Sequence, residues 1–253
     1  MNSLVHSERR QAEQLRAGEH RLLELIANRS PLESILASLT QFIEAQAPGM
    51  LCSVLLLDRE GLHLRHGAAP SLPAAYVRAI EGSPIGPQAG SCGTAAFRKE
   101  PVFVADIRVD PLWVNYRELA ARHGLRACWS VPILSPANQV LGTFAMYYHE
   151  PRRPSPAELQ LIASAANLAK IALEHQRAED ALREKELCYR QLVDLLPVAV
   201  YTTDMEGRIT LFNRCAAQLW GRTPQFETDQ WCGSFRMYRP DGSPLPLEQC
   251  PMA

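Results

Sequence analysis

Between Pro156 and Pro197 the chain contains neither glycine nor proline. A stretch without breakers favours one continuous helix, and at 1.5 Å of rise per residue it reaches roughly 60 Å. Ser155-Pro156-Ala157-Glu158 marks its start. The serine can cap, proline suits the first helical position, and the glutamate can close a capping box. Leu159, Ile162, Ala166, Ala169 and Leu173 follow at 3-4 spacing, a heptad-like seam. Residues 174–190 are mostly charged, and the seam thins to Ala178, Leu182, Tyr189, Leu192 and Leu196 on a shifted face. Such a helix is marginal alone in water. The expectation is therefore a single helix over 156–196 that pairs with its copy in a parallel homodimer.

The segments before this helix alternate between two periodicities. Residues 7–27 read as a charged helix with Leu15, Leu22, Leu25 and Ile26 to one side. Ser30-Pro31-Leu32-Glu33 carries the same start signal as Ser155, and Leu32, Ile35, Leu36, Leu39, Phe42 and Ile43 then form one apolar face. Leu51–Leu57 is an apolar strand, turned at Asp58–Gly61 into a half-buried return over Leu62–Ala68. Pro73–Ile80 is a short helix, and Gly90-Ser91-Cys92-Gly93 opens another that runs through Phe97. Pro101–Ile107 reads as a strand, and a helix after Asp110-Pro111 carries Trp113, Tyr116 and Leu119 up to the stop at His123-Gly124. Strands at Ala127–Leu134 and Val140–Tyr148 close the series. The predicted class is α+β, with an antiparallel sheet of about five or six strands flanked by helices.

After the long helix, Leu195–Asn213 reads as strand, turn, strand, and Arg214–Gly221 as a helix stopped by glycine. Phe235–Tyr238 and the Asp241-Gly242 turn follow before Ala253. This second region looks short of strands, as a piece of a longer protein would, with a sheet edge left unpaired.

Charge balance narrows the partners. Twenty-six basic against 27 acidic residues leave no excess for nucleic acid or an acidic membrane surface. No apolar run approaches the roughly 18–20 residues of a membrane span. The seven cysteines form no C-x-x-C pair and no His/Cys cluster, which argues against a zinc site and a disulfide framework. A reduced, cytoplasmic setting is expected, with no metal and no evident cofactor.

Several blocks agree in order with one family. G-S-C-G-T-A-A at 90–96, D-P-L-W at 110–113, H-G-L-R-A-C-W-S-V-P-I at 123–133 and V-L-G-T-F-A-M-Y-Y at 140–148 resemble a GAF domain, a small-molecule-sensing module. The D-x-x-G-R-I-T-x-x-N pattern at 204–213 is similar to the start of a PAS domain. The resemblance implies an N-terminal helix over 1–28, a GAF domain over 29–173, a signalling-helix linker over 174–190 and an incomplete PAS domain over 191–253. It further implies the sensory input region of a cytosolic bacterial signal-transduction protein, a histidine kinase or a cyclic-di-GMP enzyme. An unknown small molecule would bind the GAF domain, and the output domain would lie outside this chain. No catalytic residue is assigned.

Six residues are candidates for holding the ligand. Cys92 sits at a glycine-framed helix start, where N–H groups and the helix dipole favour a thiolate. Trp113, Tyr116, Trp129 and Phe144 can form aromatic walls, and Asp106 can hold a ligand amine. Each also has an ordinary reading: a small buried thiol, core aromatics, a turn carboxylate. Two alternatives come from the resemblance. One is a thiol enzyme like free methionine sulfoxide reductase using Cys92, though Cys128 lies in a strand and not in the loop before it. The other is a haem-binding GAF sensor using His123, a residue that otherwise suits a helix end.

Overall fold

The computed structural model describes residues 16–226, 228–230, 233 and 237–246. It divides into two units, Met1–Ala178 and Glu179–Ala253. The first part of the expected N-terminal helix, residues 1–15, lies outside the described residues, as do Phe235 and Arg236.

In the first unit, helix α1 covers 16–27 and α2 covers Leu32–Glu44. The expected serine cap between them does not form: α2 begins behind Pro31 with no side-chain cap. The end of α1 explains this. Arg29 turns to φ 54°, and Ser30 N donates to Leu25 O at 3.1 Å. Ser30 thus closes the preceding helix through a bond that reaches back five residues, as in a Schellman stop.

Six strands follow: β1 (Leu51–Leu57), β2 (His63–Ala68), β3 (Ser83–Pro84), β4 (Val102–Val104), β5 (Ala127–Leu134) and β6 (Val140–Tyr148). They form one sheet in the order β3-β2-β1-β6-β5-β4. Every pairing is antiparallel. Strand β4 is shorter than the expected Pro101–Ile107, because Ala105 O bonds Arg152 N and Ile107 N bonds Arg126 O in place of a regular ladder. The chain brings β1 beside β6 at the centre, with Leu51 opposite Tyr147 and Val54 opposite Phe144. Gly142 lies at that junction, where an added methyl group would collide with the Leu55 carbonyl.

Side chains alternate across the sheet with period two. One face carries Val54, Trp129, Val131, Phe144 and Met146 against α2 residues Leu36, Leu39 and Ile43. The start of the long helix α6 (Pro156–Leu195) adds Ile162, Ala165, Ala169 and Leu173 to the same layer. So the first seam predicted on this helix packs against its own sheet. Each fully buried Leu or Ile there contributes about 1.5–3 kcal/mol relative to exposure.

The other face carries Leu55, Cys128, Ala145 and Tyr147 beneath α3 (Ala74–Ile80) and α4 (Gly90–Arg98). The single helix expected over Trp113–Leu119 is two elements, a 3-10 turn at Pro111–Trp113 and α5 at Arg117–Arg122. Asp110 caps the turn by accepting from Leu112 N at 2.9 Å. Tyr116, at φ −122° and ψ −2°, breaks the helical run.

In the second unit, β7 (Tyr201–Thr203) and β8 (Ile209–Phe212) form a hairpin. Asp204 holds its turn by accepting from Glu206 N and Arg208 N at 3.0 and 2.7 Å. Asn213 caps α7 (Arg214–Trp220) and also donates to the carbonyls of Val193 and Val198. A second pair, β9 (Met237–Tyr238) and β10 (Pro244–Leu245), stands as its own two-stranded sheet. The face of β8 borders an open groove of about 830 Å³ that also touches Arg190, Asp194, Arg208 and Phe226.

Candidate functional site

The start of α4 is where the first unit departs from an ordinary apolar core. Gly90 enters the helix at φ 64°, a left-handed conformation that suits glycine. Gly93 lies so close to Ala89 and the Pro84 carbonyl that a side chain would clash. Together these glycines lower Ser91 and Cys92 onto the sheet. Ser91 Oγ donates to Cys128 O at 3.0 Å and accepts from Trp113 Nε1 at 3.0 Å. Trp113 in turn packs edge-on against Tyr116.

Cys92 Sγ lies 3.6 Å from Tyr147 OH, which accepts from Ser53 Oγ at 3.3 Å. Tyr76 meets the Tyr147 ring edge-on. A cavity of about 30 Å³ opens among these groups, lined by Leu55, Tyr76, Cys92, Trp113, Tyr116 and Tyr147. It exceeds the ~10–15 Å³ that holds one water.

The strand register explains what lies under Cys92. Cys128 pairs with Tyr147, Ser130 with Ala145, and Ala145 with Ser53 on the next strand. The small Ala145 leaves room between two hydroxyl-bearing rows. Ser130 and Thr143 are fully buried, and neither hydroxyl has a hydrogen-bond partner among the described residues.

These neighbours decide the ionisation of the thiols. The Cys128 thiol, with help from Tyr147, Ser130 and Thr143, pulls Cys92 down to about 7 against the opposing effect of burial. The Cys128 and Tyr147 contacts carry this account, since the geometry of the two hydroxyls falls short of a hydrogen bond. Burial, then the contact with Cys92 and its charge, push Cys128 up. Burial raises Tyr147 and Tyr76 as well. The pair is thus asymmetric, with Cys92 drawn down and Cys128 pushed up.

Of the six candidates, the fold brings Cys92, Trp113 and Tyr116 to the cavity. Trp129 and Phe144 lie on the opposite face of the sheet. Asp106 sits at the surface, accepting from Arg126 Nη2 and Arg108 N at 3.1 Å each. Arg126 holds that carboxyl below its usual range. His123 ends α5 and packs edge-on against Tyr76. The residues that sequence reading passed over are Ser53, Ser91, Ser130, Thr143 and Tyr147. Ser91 stands inside the glycine-framed helix start, and the other four sit at one phase of apolar strands. At the β1–β2 turn, Asp58, Glu60 and His63 also bring ligand atoms within 4.8 Å of one another. There the Asp58 carboxylate is already engaged by the N–H groups of Leu62 and His63.

Behind the cavity, the other face of β5 and β6 meets the start of α6. Glu158 accepts from Tyr148 OH at 3.0 Å and Arg152 Nη2 at 2.7 Å through one oxygen. Its other oxygen accepts from Ser155 N and Oγ at 2.9 and 2.8 Å, completing the expected capping box. The Arg152 guanidinium lies 4.3 Å from the centre of the Tyr148 ring and 5.5 Å from that of Trp129. Trp129 Nε1 donates to Arg152 O at 3.3 Å. Burial works to raise Glu158, but Ser155, Tyr148 and Arg152 outweigh it and keep the carboxyl below its usual range.

Comparison with known proteins agrees with this architecture. The GAF domain model matches residues 30–174 and a PAS domain model matches 187–247. The methyl sulfide methyltransferase-associated sensor of Methanosarcina acetivorans is 41% identical over 201 residues. That match takes in 79% of this chain and 20% of the relative, so the chain spans about a fifth of the relative's length. Among solved structures, the GAF domain of a phosphoenolpyruvate-protein phosphotransferase from Coxiella burnetii is similar at TM-score 0.54 and 20% identity, over 68% of this chain and 98% of that one. Free methionine-R-sulfoxide reductase from Neisseria meningitidis is similar at TM-score 0.53 and 16% identity, over 67% and 93%. Likeness at these identities is likeness of fold.

Proposed function

This chain belongs to the GAF domain family, with a PAS domain after it, and from that premise we propose that it is the sensory input region of a cytoplasmic signal-transduction protein. The α4 cavity is the input site, with Cys92, Trp113 and Tyr116 among its walls. The observation that carries this reading is the position of β5. The Cys128 carbonyl accepts from Ser91 at the start of α4 while the adjacent Trp129 lies against Arg152, so a change at Ser91 is one peptide away from the contacts that hold the start of α6. In this reading an occupant that displaces Ser91 or Trp113 shifts β5, alters the Arg152–Glu158 contacts and biases α6. The output is a histidine kinase or a cyclic-di-GMP enzyme supplied by a further domain.

Hydrogen exchange tests the coupling directly. Ser91→Ala leaves Trp113 Nε1 and the Cys128 carbonyl without their partner. It should raise exchange at the first turns of α6, as Glu158→Gln should by removing the charged contacts there. Unchanged exchange at 156–166 in Ser91→Ala, beside a clear change in Glu158→Gln, would sink the proposed coupling.

The charged half of α6 acts, in the same reading, as the contact between two copies in a parallel dimer. Leu182 is 67% exposed and Leu192 60%, with Tyr189 between them at helical spacing. Leu173 is buried against its own sheet, so it is a poor probe of association. Leu182→Asp combined with Leu192→Asp should shift the sedimentation of the wild type from dimer to monomer. A wild type that sediments as a monomer at tens of micromolar, roughly where weak association still registers, would overturn the pairing.

A further inference from the structure

We propose that the α4 cavity takes a small, uncharged, weakly polar molecule of about three heavy atoms, and that its wall turns away ions and larger ligands. This deepens the reading of that cavity as the input site and rests on it. Three observations support it. The first is size. About 30 Å³ holds roughly two or three water-sized spheres, whereas pockets for drug-sized molecules and cofactors run to roughly 300–1,000 Å³. The second is charge. No aspartate, glutamate, lysine, arginine or histidine borders the cavity among the described residues. An ion there would lose its water shell and find no counter-charge. The groove of the second unit is the contrast, with Arg190, Asp194, Asp204 and Arg208 on its wall.

The third is how the polar atoms of the wall are used. Ser83 Oγ donates to Ile80 O at 2.7 Å. Ser91 Oγ is bonded on both sides, to Cys128 O and to Trp113 Nε1. The Tyr147 hydroxyl lies between Ser53 Oγ and Cys92 Sγ. What is left for an occupant is mainly ring and alkyl surface, from Leu55, Leu64, Tyr76, Ile80 and Tyr116. A cavity with few free polar groups holds water poorly and takes apolar guests. Two edge-on ring pairs frame it, Trp113 with Tyr116 at 6.4 Å between centres and Tyr76 with Tyr147 at 6.0 Å. Exposure marks the way in. Ser83, Ala89 and Tyr116 are half-buried, whereas Leu64, Cys92, Trp113 and Tyr147 are buried. The mouth thus lies between the 83–89 segment and the start of α5, and the selective floor lies on the sheet and on α3.

The test uses the full chain at about pH 6, below the value of about 7 to which Cys92 is drawn, so that its thiol is mostly protonated. The reporter is the indole N–H resonance of Trp113, assigned by its loss in Trp113→Phe. Xenon and cyclopropane should shift it saturably, with a Kd on the order of 1 mM, near the ceiling for so few atoms. Methylammonium and acetate, similar in size but charged, should bind at least about tenfold more weakly. Ile80→Phe adds bulk at the cavity wall and should abolish the xenon shift in a chain whose other resonances stay dispersed. Ile80→Val, a gentler change, removes one methylene from the same wall and should improve binding of the larger cyclopentane. A wild-type Trp113 resonance indifferent to xenon and cyclopropane, or one that answers methylammonium or acetate more strongly, would overturn the proposed class. A xenon shift that survives in folded Ile80→Phe would overturn the site. Should the class fail while Ser91→Ala still raises exchange at the first turns of α6, the input reading stands and the ligand is of another kind. Should xenon bind while Ser91→Ala leaves that exchange unchanged, the cavity takes apolar molecules and the input reading fails.

Discussion

The two faces of the six-stranded sheet are built from the same strands and hold opposite chemistry. Under α2 and α6 the residues are Val54, Trp129, Val131, Phe144 and Met146, a layer closed by apolar contact. Under α4 the alternate positions include Ser53, Cys128, Ser130, Thr143 and Tyr147, all buried and only partly satisfied. A protein interior tolerates unpaired hydroxyls poorly. Their concentration on one face, on the side where Cys92 and the small cavity lie, sets a face closed by apolar contact against a face that carries buried polar groups.

The largest effect should come from breaking the dry face. Phe144→Ala removes a fully buried ring at the centre of the sheet and should cost about 3–5 kcal/mol in denaturant unfolding. A loss under about 1 kcal/mol would mean that the layer repacks freely, and the contrast between the faces would collapse.

An intermediate effect belongs to Glu158, at the edge of the same face. Its depressed carboxyl pKa means that the charged contacts add stability above the unfolded-chain value and surrender it as pH falls through the folded one. Glu158→Gln should cost about 1.5–3 kcal/mol near neutral pH, as loss of hydrogen bonds to a charged group does. The difference from wild type should shrink on acidification. Parallel stability curves from pH 7 to pH 3 would show that the charge is not what holds the start of α6.

The smallest effect is expected on the polar face. Thr143→Val replaces an unpartnered hydroxyl with a methyl of similar shape, so stability should change by no more than about 0.5 kcal/mol. The same substitution should leave the pH midpoint of Cys92 labelling by iodoacetamide where it is, because the Cys128 and Tyr147 contacts hold that thiol down. A large stability loss in thermal unfolding would reveal a partner for that hydroxyl and make the two faces more alike.

The sequence made the order of strands and helices legible because periodicity is local. The breaker-free run is indeed a helix over Pro156–Leu195, and β1, β5 and β6 fall where their apolar runs lie. Local signals misled where two elements compete for one residue. Ser30 and Ser155 carry the same start pattern, yet Ser30 is taken by the end of α1 while Ser155 caps α6. The site was less legible for a different reason. Trp129 and Phe144 look like cavity walls by residue type, and strand phase alone separates them from Cys128 and Tyr147. Which phase faces a cavity depends on where Gly90 and Gly93 let α4 cross the sheet, a tertiary fact. Trp113 and Tyr116, by contrast, reach the cavity with the aromatic spacing already visible in sequence.

The central pairing of β1 with β6 sets a time order on the birth of this domain. Everything that builds the cavity's outer wall, from β2 through α5, lies in the chain between those two strands. A sheet closed by so distant a pair forms slowly for its size, on the order of milliseconds to seconds. During synthesis the wait is longer still, since β6 leaves the ribosome after all the rest of the sheet. Tyr147 is carried on that last strand. Until it arrives, Cys92 lacks its phenol neighbour and the cavity has no floor, so the nascent chain passes through a period in which its thiols meet the cell as ordinary exposed cysteines.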